Sequence, residues 1–285
     1  MRSAVQTLTW LATCGLLGAC ATSPLRTPPP TTLAEVGEIR AGSGYANGYL
    51  PRGQAPDSLA LLPPPPAPGS AEQAADEAAY QALKAWRQGP RGALAVHDAN
   101  LKFPAAASVF SCALGVQITE QTTPHLHMLL RRTLVDAGGA TYKAKDHYNR
   151  VRPFVAFNEP SCTPAEEPQL RKDGSYPSGH SALGWAWALV LTELAPERAD
   201  ALLQRGRAFA QSRGICGVHW KSDIEAGRLV GAAAVARVHS NPVFQAQLAA
   251  AQGEIARARA AGQVPSAQAC ADEAAAVSSS AALAP

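Results

Sequence analysis

The sequence is poor in charge. Lys, Arg, Asp and Glu make up 16% of its 285 residues, and the formal net charge is only +3. So weak a balance leaves no electrostatic footprint for nucleic acid, and no nucleic-acid partner is expected. The basic residues that matter are local ones. Cysteine is sparse and badly placed for metal: none of the six stands in a CxxC pair or a Cys/His cluster with zinc-ligand spacing. β-branched runs are few, which tilts the chain away from sheet, and no internal repeat is visible. No apolar run is long enough for a comfortable membrane span. What remains is an alanine-rich chain with 47% hydrophobic residues, long enough to bury a sizeable core as helices.

Met1–Cys20 reads as an export signal, with Arg2 ahead of an apolar stretch that ends LLGAC. Leu17-Gly18-Ala19-Cys20 resembles the lipobox of bacterial lipoproteins, which makes Cys20 the candidate lipidation site and lipid the candidate anchor to the membrane. An ordinary signal peptide cut slightly later is the alternative. Either reading places the mature chain in the periplasm or another oxidising envelope compartment, where disulfides persist. Four cysteines remain after the leader, and they allow three pairings. Residues 21–70 are rich in Pro, Gly and Ser and are expected to form an extended tether, though Leu59, Leu61 and Leu62 can tuck onto the domain.

From residue 71 to 260 the periodicity is helical, and a single all-α domain is expected. Helices are predicted over 71–88, from Thr123-Pro124 to about 137, over 140–150, 181–194 and 197–212, from a Ser222-x-x-Glu225 capping box to about 239, and over 243–260. The 181–194 segment is apolar nearly all round and reads as a central buried helix. Residues 154–173 read as a loop, and 261–285 as a low-complexity, disordered tail.

Three clusters carry chemistry. They are Lys145-x6-Arg152-Pro153, then Pro177-Ser178-Gly179-His180, then Ser212-Arg213-x5-His219-x3-Asp223. Together they supply two arginines, a lysine, two histidines, a carboxylate and a helix start. That inventory suits a phosphate dianion. Arginine offers a planar fork of donors, lysine a compact charge, and a helix N-terminus free N–H groups. A carboxylate four residues after His219 can hold one imidazole nitrogen and leave the other free to attack. A second histidine can protonate a leaving oxygen.

These clusters match the tripartite signature of the type 2 phosphatidic acid phosphatase (PAP2) superfamily. LALLPPPP, KDHYNRVRPF, GSYPSGHS and SRGICGVHWKSD further resemble the bacterial class A non-specific acid phosphatases. The resemblance implies an all-α domain like that of vanadium-dependent haloperoxidases. It also implies a cofactor-free reaction on small phosphomonoesters through a phosphohistidine. Residue by residue, it makes His219 the nucleophile, Asp223 its orienting group and His180 the general acid. Lys145, Arg152 and Arg213 would bind the phosphoryl oxygens, helped by Ser178 and Gly179. Relatives commonly form homo-oligomers, and the same is expected here. Ser181 stands where many relatives have Thr, a small departure.

Other residues get structural readings: Lys143 as surface, Trp185 and Trp187 as core, and His97, His125, His127, His147 and His239 as surface or core. Cys216 lies inside the third motif, where a disulfide is expected in preference to a nucleophile, with Cys162 the first choice of partner. The competing functions are a vanadate-dependent haloperoxidase using the same pocket, a lipid phosphatase, and a non-catalytic phosphate-binding envelope lipoprotein.

Overall fold

The computed structural model describes residues 28–280. The expected export signal and Cys20 fall outside them. Among the described residues there is no strand, only an isolated bridge between Glu38 and Ala46, so the fold is all-α as expected. Its longer helices are α1 (Ala71–Lys84), α2 (Pro90–Ala99), α3 (Pro124–Gly139), α4 (Tyr142–Tyr148), α5 (Gly179–Leu194), α6 (Ala199–Ile215), α7 (Lys221–Val238), α8 (Pro242–Ala260) and α9 (Ala267–Ser279). No described helix is long and apolar enough to cross a membrane.

α5 is the hub. It packs against α3, α6 and α7, and buries Leu183, Trp187, Val190 and Leu191. Packing against three helices explains why its sequence is apolar nearly all round. Trp187 also donates its indole N–H to the Leu130 carbonyl on α3 at 2.8 Å. Trp185 instead stays half-buried beneath Arg228. α7 approaches α5 closely because two glycines face it. A Cβ on Gly227 would stand 2.4 Å from the Ser178 carbonyl oxygen, and one on Gly231 would stand 2.2 Å from that of Ala182.

Several helix starts follow local chemistry, and two depart from what the sequence suggests. Ser70 and Ser178 cap α1 and α5 through their hydroxyls. At α3, Thr123-Pro124 stands at the start as expected, but the first free N–H groups go to another helix. The Glu254 carboxylate on α8 accepts from His125 and Leu126 at 3.0 and 2.9 Å. The expected Ser222/Glu225 box does not form. Asp223 accepts the Trp220 N–H at 2.8 Å instead, while Ser222 is drawn to Asp76 and Glu225 pairs with Lys221.

Both expected loose ends are corrected. The tether becomes part of the domain well before residue 70. Tyr49 and Leu62 are buried, and Asp136 of α3 accepts the N–H groups of Tyr49 and Leu50. The Tyr176 hydroxyl donates to the Pro63 carbonyl. The prolines have little to bury, but the residues around them are anchored one by one. Leu59 and Leu61 stay exposed. The tail forms α9, because alanine favours helix and three ties hold it. These are a Cys112–Cys270 disulfide, a Glu273–Arg205 ion pair at 3.3 Å, and a bond from Arg91 to Ser280.

Replacing Gly231 by Val should overpack the α5–α7 contact and cost about 1–3 kcal/mol in urea unfolding. Wild-type stability in that variant would show that the helices can part without penalty.

Candidate active site

The first cluster is built by α4 and the turn after it. Lys145, in the last turn of α4, is buried and donates to the Gly174 carbonyl at 2.7 Å. Burial first, and Arg152 second, push its pKa down to about 8. Arg152 is also buried. It donates to the carbonyls of Leu170, Asp173, Gly174 and Val218, and pairs with the Asp173 carboxylate at 3.0 Å.

Arg213 comes from the last turn of α6 and is buried. Its Nη2 lies 3.5 Å from Glu166, but Nε and Nη1 have no partner at all. Burial lowers its pKa to about 10, with Glu166 opposing, so the group stays charged at any working pH. Two orphaned donors on a buried cation are a strong demand for an anion.

His219 Nε2 sits 3.2 Å from Arg152 Nη1. Arginine can only donate, so Nε2 accepts, and the ring proton belongs on Nδ1. Nδ1 faces Asp223 Oδ2 at 3.4 Å but makes no hydrogen bond of good geometry there. Asp223 is fully buried and already engaged by Trp220 and by Arg150, whose Nη1 lies 2.7 Å from Oδ1. Sequence reasoning gave Arg150 no role. In the structure it holds Asp223 with one arm and Asp76 with the other. Its only sequence signal was its place within the run that ends in Arg152.

His180, on the first turn of α5, sets Nε2 3.1 Å from the Ala99 carbonyl. That contact fixes a proton on Nε2 and leaves Nδ1 as the exchanging nitrogen. Burial, then Arg213, hold His180 well below its ordinary pKa; burial, then Arg152 and Lys145, do the same to His219. The unliganded site therefore keeps both histidines neutral. A general acid must carry its proton when the bond breaks, so in that role His180 has to gain one as substrate binds.

Lys145, Arg152, Gly179, His180, Arg213 and His219 all line one cavity of about 320 Å³. Ser178 and Asp223 stand behind the wall. Ser178 caps α5 with its hydroxyl and donates its N–H to the Asp223 carbonyl, so these two fix one another. Asp173 and Leu170 also face the cavity, and no motif announced them. A Cys162–Cys216 disulfide, the expected pairing, ties the 158–174 segment, expected as a loop but carrying short helical turns at Pro164–Glu166 and Glu167–Leu170, to the turn before His219. Lys143 is exposed and paired with Asp57. His125 bonds Gln247, while His127 is buried without a partner, so the two do not act as a pair. Among the described residues no group of three His, Cys, Asp or Glu is placed to hold a metal.

Residues 126–245 match the family described as the PAP2 superfamily. The non-specific acid phosphatase of Providencia stuartii is 49% identical over 210 residues, which is 73% of this chain and 85% of that protein. The chain belongs to the PAP2 superfamily. Within it the chain stands among the bacterial class A acid phosphatases. The Salmonella typhimurium non-specific acid phosphatase is 44% identical over 70% of this chain and 80% of its own length. The Zymomonas mobilis acid phosphatase is 38% identical over 73% and 79%. The aligned portions amount to most of the described domain of this PAP2 chain.

A histidine kept neutral in the native state binds fewer protons than the unfolded chain does below about pH 6.5. His180 and His219 therefore subtract stability as the pH falls through that value. NMR of labelled imidazoles should show two rings that stay neutral through pH 6.5, with His180 taking up a proton when inorganic phosphate is added. Two ordinary titrations near 6.5 in the free protein would contradict this electrostatic description.

Proposed function

We propose that the chain hydrolyses a broad range of small phosphomonoesters at acidic pH, through a covalent phosphohistidine and with cations of its own side chains in place of a metal. The observation that carries this reading is the pair of unpartnered Arg213 donors beside His219 Nε2 in one cavity. The acid phosphatases to which the chain is similar support the reaction class.

Lys145, Arg152 and Arg213 would hold the non-bridging oxygens, together with the N–H groups at the start of α5 beside Gly179. Charge on a transferring phosphoryl group is spread over those oxygens, so fixed donors supply most of the catalysis. His219 Nε2 attacks phosphorus, and the bond to the ester oxygen breaks. Asp223 steadies the imidazolium-like ring from the Nδ1 side. Its 3.4 Å separation is of the kind that tightens when substrate arrives. The bound dianion offsets the charge of Arg213, so His180 gains a proton, and Nδ1–H passes it to the leaving oxygen. Water then attacks phosphorus as His180 takes back a proton. The P–N bond breaks, phosphate leaves, and His219 is restored. Proton uptake by His180 is the step that acid favours.

Two disulfides fit a chain that matures in an oxidising envelope compartment. We place it in the periplasm after removal of residues 1–20, or on the membrane through a lipid on Cys20.

Hydrolysis of p-nitrophenyl phosphate at about pH 5–7 should survive chelator and fall at least about 10³-fold in His219→Ala. Equal rates for the two proteins would remove His219 from its role. Loss on chelation would remove the metal-free mechanism.

A further inference from the structure

The cavity has two unlike walls. One is the cationic face described above. The other is apolar and comes largely from outside the signature: Ile39, Tyr45, Leu134, Leu183 and Tyr142. At about 320 Å³ the space accommodates more than a phosphoryl group and falls at the lower end of small-molecule sites.

Ile39 and Tyr45 reach the site on a built hairpin. The Ile39 N–H donates to the Tyr45 carbonyl at 3.0 Å, and the Asn47 N–H to that of Gly37 at 2.9 Å. Inside the turn, the Glu38 carboxylate accepts from Gly42 and Gly44, each at 2.6 Å. The strand of chain leaving the hairpin is fastened to one face of α3. Arg131 donates to the Gly44 carbonyl, and Arg132 donates to those of Asn47 and Gly48. Asp136 takes the N–H groups of Tyr49 and Leu50, and Arg132 lies 3.9 Å from the Tyr49 ring centre. The next residues along α3, Leu134 and Val135, are themselves part of the apolar wall. Hairpin and wall therefore share one rigid support.

The mouth of this wall is left in water. Ile39 is 44% exposed and Tyr142 52%. Tyr45 is half-buried, and burial together with Glu166 keeps its hydroxyl neutral. Two tyrosine rings and an isoleucine beside a phosphate site offer apolar and edge-on contacts that a flat ring can use and a polyol cannot.

We propose that the 38–46 hairpin is the specificity element of this site. Together with Tyr142 it forms a leaving-group subsite for a flat aromatic alcohol, so that aryl phosphates are favoured over monoesters of small polar alcohols. The proposal rests on the phosphatase reading above. It adds a selective face to a pocket whose phosphate half is indifferent to the alcohol.

The test compares kcat/KM for phenyl phosphate and for glycerol 2-phosphate, read as released inorganic phosphate. Tyr45→Ala should shrink the ratio of the two about tenfold, mostly through KM for phenyl phosphate. Tyr45→Phe should keep the ratio. Ile39→Ser, at a position 44% exposed, should shrink it in the same direction and decides the matter if Tyr45→Ala folds poorly. An unchanged ratio in both variants overturns the proposal. If the wild type releases phosphate from neither ester, the phosphatase reading falls instead.

Discussion

Three cations buried side by side repel one another, and the site is organised around that repulsion. Arg152 and Arg213 both lower the proton affinity of Lys145, and Arg152 lowers that of Arg213. Carboxylates answer only part of the charge. Asp173 pairs with Arg152, and Glu166 reaches Arg213 from an exposed position. The remainder falls on Nε and Nη1 of Arg213, which point at nothing in the protein. Leaving buried donors unmet costs stability, so the arrangement makes sense as readiness for a dianion. The same field keeps His219 neutral, and holds His180 neutral until that dianion arrives.

Holding such a field needs a stiff frame. α5 is gripped by α3, α6 and α7, and glycines let α7 close on its first turn, so Ser178 and Asp223 are locked back to back. Arg150 ties Asp223 to Asp76 on α1, which fastens the first long helix to the residue behind His219. The 158–174 segment carries both carboxylates that answer the arginines. Its disulfide to Cys216 keeps it beside the third motif. Each device protects positions on which phosphoryl transfer depends.

The cationic half of the site was legible because its residues are packed into short runs. Fixed spacings such as Lys145-x6-Arg152 and His219-x3-Asp223 survive as local geometry, and the periodicity of the long helices placed them on one domain. The other half was not legible, because it depends on contacts distant in sequence. Nothing in residues 38–50 signals that Asp136, some ninety residues on, will take their N–H groups, so that segment looked like a tether. Arg150 reads as one more surface cation until Asp76 and Asp223 are seen to meet it. The α7 start misled for a related reason: Ser222 and Glu225 have the spacing of a capping box, but tertiary partners claim both, and Asp223 serves as the cap while facing His219. The neutral state of His180 depends on burial and on Arg213, neither of which a linear motif contains.

The central claim is that His219 Nε2 carries the phosphoryl group between its two acceptors. The most direct measurement is to mix the protein with a labelled phosphomonoester, stop it in alkali during turnover, and map the phosphorylated peptide by mass spectrometry. The account predicts an alkali-stable, acid-labile phosphate on the peptide that contains His219. Steady turnover with phosphate on another side chain, or with no phosphorylated peptide at any time, would contradict it.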